Sequence, residues 1–201
     1  MKKILGSPYN SLMLLLSFTF ALTVMSLNAA EQTWEYVPTS GEINVRHEAG
    51  LINIGSDLYL LGGRRIQAVN RLDTLTNTWQ RMSAPPIELH HFQPVIYNQK
   101  IYIVGAMTGR YPHEVPVPNM WIFDPAKNTW IKGKALPANR LRGGAGASVL
   151  GDKLYLTGGI TDGHWQGTVA WFDVYDFKRD TWQRLPDMPH GRDHFQTGIS
   201  G

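Results

Sequence analysis

One phrase is written three times along this 201-residue chain. It reads LYLLGG…LDTLTNTWQRM at Leu58–Met82, IYIVGA…FDPAKNTWIKG at Ile101–Gly133 and LYLTGG…YDFKRDTWQRL at Leu154–Leu185. A period of about 50 residues, made of short apolar runs and turns, specifies a radial β architecture. No single copy can bury its own faces, so the copies must stack on one another.

Each copy has the same anatomy. An apolar run (Leu51–Ile54, Val95–Tyr97, Ala147–Leu150) meets a polar turn, and a second run ends in Gly62-Gly63, Gly105-Ala106 or Gly158-Gly159. Two short runs around a tight polar turn form a β-hairpin. Small residues at a strand end suit positive φ or a close backbone approach. A third strand then ends in Asp73, Asp124 or Asp176, and six residues later stands Trp79, Trp130 or Trp182. Asp, then Asn or Asp, then Thr before that Trp supply a second hairpin turn. Each copy is therefore a four-stranded antiparallel unit. The Trp rings are expected between adjacent units, where each can bury roughly 150–250 Å².

The paired glycines, the aromatic-Asp pairs Phe123-Asp124 and Tyr175-Asp176, and the spaced Trp resemble the kelch repeat. The first copy departs with Leu72 before its Asp, the second with Ala106 for its second Gly. The resemblance implies an all-β kelch-type β-propeller with binding on one face. Repeats fall at about 46–88, 89–139 and 140–190, a fourth begins at 191–201, and the whole propeller segment is 31–201. Gln32–Glu35 matches an outer strand, and Arg192–Gln196 echoes Leu89–Gln93. Three full units plus two fragments do not close a ring of about four to eight blades. The expected object is part of a longer propeller; a frame-shifted product or closure by another chain are the alternatives.

Residues 1–30 are different. Lys2 and Lys3 precede an apolar stretch from Leu12 to Leu27, followed by Ala29-Ala30 and the polar Glu31-Gln32. This is the layout of a signal peptide, and it predicts a periplasmic or secreted protein. About sixteen apolar residues are short for a membrane span, so the membrane enters only through an uncleaved leader. No cysteine is present, which excludes disulfides, thiol catalysis and Cys-based zinc sites within the chain. Net charge is +3, but removing the two leader lysines leaves 17 basic against 16 acidic residues. Bulk charge therefore argues against a nucleic-acid partner.

Candidate chemistry lies in loops. Strand one starts, and strand two ends, at the same edge of a unit, so the loops before one and after two share a face. Those loops carry Arg46, His47, Glu48, Arg64 and Arg65 in the first unit, and His90, His91, Thr108 and Arg110 in the second. Arg140, Arg142, Asp162, His164 and Trp165 follow in the third, then Arg192, Asp193 and His194. Arg offers a planar donor fork for carboxylate or phosphate, and His a donor, base or ligand. Site residues expected on this basis are Arg46, His47, Glu48, Arg64, Arg65, His91, Arg110, Arg142, His164, Arg192 and His194. The competing reading makes these residues ties between neighbouring blades.

No cofactor and no metal are expected. His90 and His91 are adjacent, and adjacent residues of an extended segment point to opposite faces. Gly143–Gly146 leads into a strand and lacks the Lys of a phosphate loop. The stretch Pro112–Pro118 is an ordered loop insertion that could rim a pocket. The first functional reading is a binding module for a carbohydrate or other small polar or anionic ligand. The second, implied by resemblance to exported kelch-like enzymes, is a sugar-acid mutarotase. A copper-radical oxidase of the galactose-oxidase kind needs a Tyr–Cys cross-link that this chain cannot make. The third reading is an extracytoplasmic protein-interaction scaffold.

Overall fold

The computed structural model describes residues 34–200. The signal-peptide reading of residues 1–30 falls outside the described residues.

The first unit is a meander of β1 (Ala49–Ile54), β2 (Asp57–Gly62), β3 (Asn70–Asp73) and β4 (Thr78–Arg81). The second opens with β5 (Val95–Tyr97) and β6 (Lys100–Ile103). A small ribbon of β7 (Met107–Thr108) and β8 (Val115–Pro116) follows, then β9 (Asn119–Asp124) and β10 (Thr129–Ala135). The third begins with β11 (Gly146–Leu150) and β12 (Lys153–Thr157). Its ribbon is β13 (Ile160–Asp162) and β14 (Gln166–Thr168), and β15 (Phe172–Asp176) and β16 (Thr181–Arg184) complete it. Each unit is one antiparallel four-stranded sheet, the blade that the repeat predicts. The only helical piece among the described residues is one 3₁₀ turn at Ala138–Arg140.

The turns follow from the residues that make them. Asn98 and Gln99 link β5 to β6 with φ of 48° and 59°, the doubly positive turn that matches strand twist. In the second hairpins, Asp73 Oδ1 accepts from the N–H of Leu75 and Thr76, and Asp176 Oδ1 from Lys178 and Arg179. Asn77, Asn128 and Asp180 then take the left-handed position at φ of 51–54°. These side chains tolerate that conformation best after Gly. The recurring aspartates are thus turn formers.

Two apolar clusters lie between blades. Tyr59, Leu61 and Val69 of the first blade pack with Ile101, Ile103 and Phe123 of the second, and Trp130 covers them. Val95, Val104 and Met120 pack with Leu154, Leu156 and Tyr175, and Trp182 covers that set. Trp130 also donates from Nε1 to the Ser83 carbonyl across the seam, at 3.3 Å. Trp130 and Trp182 are thus core at the two seams, as their fixed position predicts; Trp79 packs in neither cluster.

The flanking segments add no further sheet. Of Gln32–Glu35 only Trp34 and Glu35 are described, and neither is in a strand. Ser40 makes a single parallel bridge to Thr78. Arg192–Gln196 carries no strand, yet it seats on the third blade. The Arg192 carbonyl accepts from Gly159 N–H, and a Cβ on Gly158 would stand 2.4 Å from that carbonyl oxygen. Leu89 does the same to the first blade, its carbonyl 2.6 Å from where a Gly62 Cβ would be. The paired glycines therefore admit the chain that leads into the next repeat.

Candidate functional site

Four lead-in segments align across the repeats: Arg46–Gly50, Leu89–Gln93, Arg142–Gly146 and Arg192–Gln196. Their third residues are Glu48, His91, Gly144 and His194. All four have φ between 51° and 58°. Their backbones form a staircase: His91 N–H donates to the Glu48 carbonyl, Gly144 N–H to His91, and His194 N–H to Gly144, at 2.8–3.2 Å. One left-handed residue per repeat thus stitches the inner ends of the blades together. Left-handed backbone on bulky residues persists only where surroundings enforce it, and it often marks a site.

At the mouth that these residues line, side chains converge. His91 stands with its ring centroid 4.7 Å from those of His164 and His194 and 4.8 Å from that of His90. His164 and His194 are 4.6 Å apart. His164 comes from the β13–β14 loop, so three repeats meet here. Arg64 pairs with both Glu48 and Glu114 and donates to the Gly109 carbonyl at 2.8 Å. Glu48 also lies 3.5 Å from His91 Nε2. Among the eleven residues expected from sequence, the structure brings together Glu48, Arg64, His91, His164 and His194.

Their environments set their charge. Burial lowers the His91 pKa to about 4, and neighbouring His90, His194 and His164 add to that against the pull of Glu48. His91 is a neutral imidazole at pH 7. Burial works to raise Glu114, but hydrogen bonds from Arg64, a backbone N–H and His164 prevail and hold it at about 2. Burial likewise opposes the ionised Glu48, and Arg64 and the nearby histidines outweigh it.

Beside the mouth opens a cleft of about 820 Å³, lined by His47, Glu48, Arg64, Arg65, Ile66, Glu88, Gly109, Arg110 and Tyr111. Arg65 and Arg110 are exposed, and neither guanidinium has a partner among the described residues. Glu88 fixes the backbone at Arg65 and next to Arg110. Its carboxylate accepts from Arg65 N–H at 2.6 Å and from Gly109 N–H at 3.1 Å. Ile66 and Tyr111 are exposed alongside.

Arg46 and Arg142 bond within their own blades, although Arg46 also lines a second cleft with His47, Arg64 and Arg65. Arg142 is fully buried. It donates to the carbonyls of Gly158, Leu156 and Arg140 at 2.8–3.0 Å and pairs with buried Asp173 at 2.7 Å. Arg46 does the matching job in the first blade, donating to the Gly62 and Ala68 carbonyls and to Asn70. Each clamps the end of strand two to the start of strand three within its own blade. This differs from the binding role and from the blade-to-blade tie expected of them. The cause is position: the first residue of a lead-in points back into its own sheet. Arg192, first residue of the fourth lead-in, is exposed and makes no side-chain bond among the described residues. His47 is exposed on the cleft rim, 3.4 Å from Glu48.

The expectation for His90 and His91 rested on an extended segment, and the structure corrects it. With φ of 51° at His91, the two rings turn toward each other and their Nδ1 atoms lie 2.6 Å apart. Sequence reasoning also missed Glu114, which is wholly buried between Arg64 and His164. The one signal for it was an acid alone in the proline-rich insertion.

A kelch-repeat domain family, described as the KLHDC2/KLHL20/DRC7 Kelch-repeats domain, matches residues 18–199. The chain belongs to the kelch-repeat family. It is similar to Kelch-like protein terF of Aspergillus terreus, 27% identical over 83% of this chain and 40% of that protein. It is also similar to Kelch-like protein 38 of Rattus norvegicus, 32% identical over 66% of this chain and 22% of that protein. The solved structure of YjhT aligns with a TM-score of 0.61 and 19% identity, over 74% of this chain and 54% of that one, which supports the propeller fold. The chain thus spans less than half the length of these two curated relatives. Membership makes this a kelch-type β-propeller segment. A sugar-acid mutarotase gains no support from these relatives.

Proposed function

We propose that this kelch propeller segment binds a protein partner through an acidic peptide segment laid in the cleft beside its mouth. The observation that carries the reading is the contrast among three arginines. Arg64 is consumed by Glu48 and Glu114, whereas Arg65 and Arg110 stand free on the rim. Arg65 is also held in a left-handed conformation, φ 69°, with its N–H fixed by Glu88. Two guanidiniums unpartnered among the described residues, on neighbouring fixed backbone, suit carboxylates, whose paired oxygens match the planar donor fork. Ile66 and Tyr111 add apolar surface beside them, and Arg and Tyr are favoured at the energetic centres of interfaces. The lysine-led apolar leader supports an exported partner, and cell fractionation checks that location.

The test is binding to an array of acidic, neutral and basic peptides, followed by titration of the best binder. Acidic peptides bind tightest, more weakly as salt rises, and R65A/R110A lowers affinity at least about tenfold, or about 1.4 kcal/mol. Equal binding of neutral peptides, or an unchanged double variant, overturns the reading. Displacement by acidic monosaccharides but not by peptides would move the ligand class to a sugar acid.

A further inference from the structure

We propose that His91, His164 and His194 form a binding site for one divalent transition-metal ion at the propeller mouth. Each ring offers a nitrogen, and the three donor atoms lie within 4.8 Å of one another. Ring centroids are 4.6–4.7 Å apart in all three pairs. Metal–nitrogen bonds of about 2.0–2.1 Å require the nitrogens to close by roughly an ångström, a shift within reach of side-chain rotation. Imidazole donors favour zinc, copper and nickel over magnesium or calcium.

A second observation points the same way. Metal-binding histidines usually donate their other ring N–H to a carboxylate, which fixes the tautomer and orients the ring. His164 Nδ1 lies 3.2 Å from Glu114 Oε1, and His194 Nδ1 lies 2.5 Å from Asp193 Oδ1. Those contacts leave Nε2 of both rings as the free donor. His91 Nδ1 is engaged by His90 at 2.6 Å, so its Nε2 is the donor, and it turns to the ion from Glu48 Oε1, 3.5 Å away. Glu114 is itself fixed by Arg64, and Asp193 accepts from Thr168 Oγ1 at 2.5 Å. The rings are therefore braced from behind by groups that have their own partners.

The overlapping trio of Glu48, His90 and His91 also has metal-ligand spacing. Glu48 is already neutralised by Arg64, and His90 is wholly buried against it. The three-histidine set is the more accessible of the two, since His164 and His194 keep part of their side chains in solvent. Three protein ligands leave one tetrahedral position for water or an incoming donor.

The experiment is calorimetric titration of ZnCl₂ into the chelator-treated full chain, with Co²⁺ absorption as an independent reading of coordination. One ion per chain is expected, with a Co²⁺ spectrum of four-coordinate type. H164A and H194A each lower affinity more than about tenfold, and D193N by about 10–100-fold. H190A, at an exposed histidine that is not one of the three, leaves affinity unchanged. Circular dichroism and a melt without metal establish that each variant is folded. If either variant is unfolded, H164Q and H194Q replace it in the same titration. No stoichiometric binding, or binding that H164A and H194A leave intact, overturns the site. Loss on H91A alone would assign the metal to the Glu48 trio and overturn this one too.

Discussion

The first and third residues of each lead-in stand two positions apart and serve opposite ends. Arg46 and Arg142 turn into their own blades and bond to carbonyls, Asn70 or Asp173. Glu48, His91 and His194 sit in left-handed backbone and present their side chains to the mouth. Both positions carry the polar residue types that a binding site would use. What separates them is backbone direction, which residue type alone does not express. Chemistry at a propeller mouth therefore depends on which lead-in residue takes positive φ.

The comparison breaks hardest at Arg142. Replacing it with Met removes one of the two buried guanidiniums on Asp173, Arg140 being the other, and the donor to three buried carbonyls. Breaking a buried pair costs about 3–5 kcal/mol, and the remaining Arg140 contact puts the loss at the lower end. Burial already lowers the Arg142 pKa to about 10, so the clamp is charged at neutral pH, and without it Asp173 keeps only Arg140, 3.1 Å away. Urea denaturation of R142M should show that loss. Replacing both members, as in R142M/D173L, should recover little of it, because it takes Asp173 away from buried Arg140 as well. Acidic-peptide affinity of folded R142M at low temperature should be unchanged. A variant that loses affinity while keeping stability would put Arg142 back at the mouth.

Arg46 is the same clamp with neutral partners, and its effect is smaller. R46A leaves the Gly62 and Ala68 carbonyls and the Asn70 amide oxygen short of a donor. Solvent reaches the side chain in part, so about 2 kcal/mol is expected. R46K, which lacks the planar fork, should recover little of that. Full recovery by lysine would mean that charge rather than geometry holds the blade.

These arginines also show where sequence reading stops. The blade was legible because its cues are local: alternation for strands, Asp and Asn for turns, Gly for the close approach at Gly62 and Gly158. The shared face of the loops was legible too, since it follows from strand direction. The side on which each loop residue projects was not. Arg142 and His91 look alike as polar lead-in residues, yet one is sealed and the other lines the mouth. Positive φ at Glu48, His91 and His194 has no local signature, because none of them is Gly or Asn. Only Gly144 at the matching position hinted at it. Glu114 was hidden for a different reason: its partners Arg64 and His164 are each 50 residues away in the chain.

The smallest expected effect tests the origin of that direction. If the left-handed backbone of the third lead-in residue is imposed by the staircase of N–H to carbonyl bonds, a Cβ there is a cost. Gly144 already occupies the position without one and keeps both bonds. H194A and H194G both remove the imidazole and its contact with Asp193, so they differ only in the Cβ and in unfolded-chain freedom. Left-handed backbone costs a residue with a Cβ about 1–2 kcal/mol, and the greater freedom of unfolded glycine offsets part of it. H194G should therefore exceed H194A in stability by about 0.5–1 kcal/mol in metal-free urea denaturation, the reverse of the order for ordinary backbone. An H194A variant more stable than H194G would mean that the backbone relaxes out of this conformation once the imidazole is gone. The histidine–aspartate contact, rather than the staircase, would then be what turns the side chain toward the mouth.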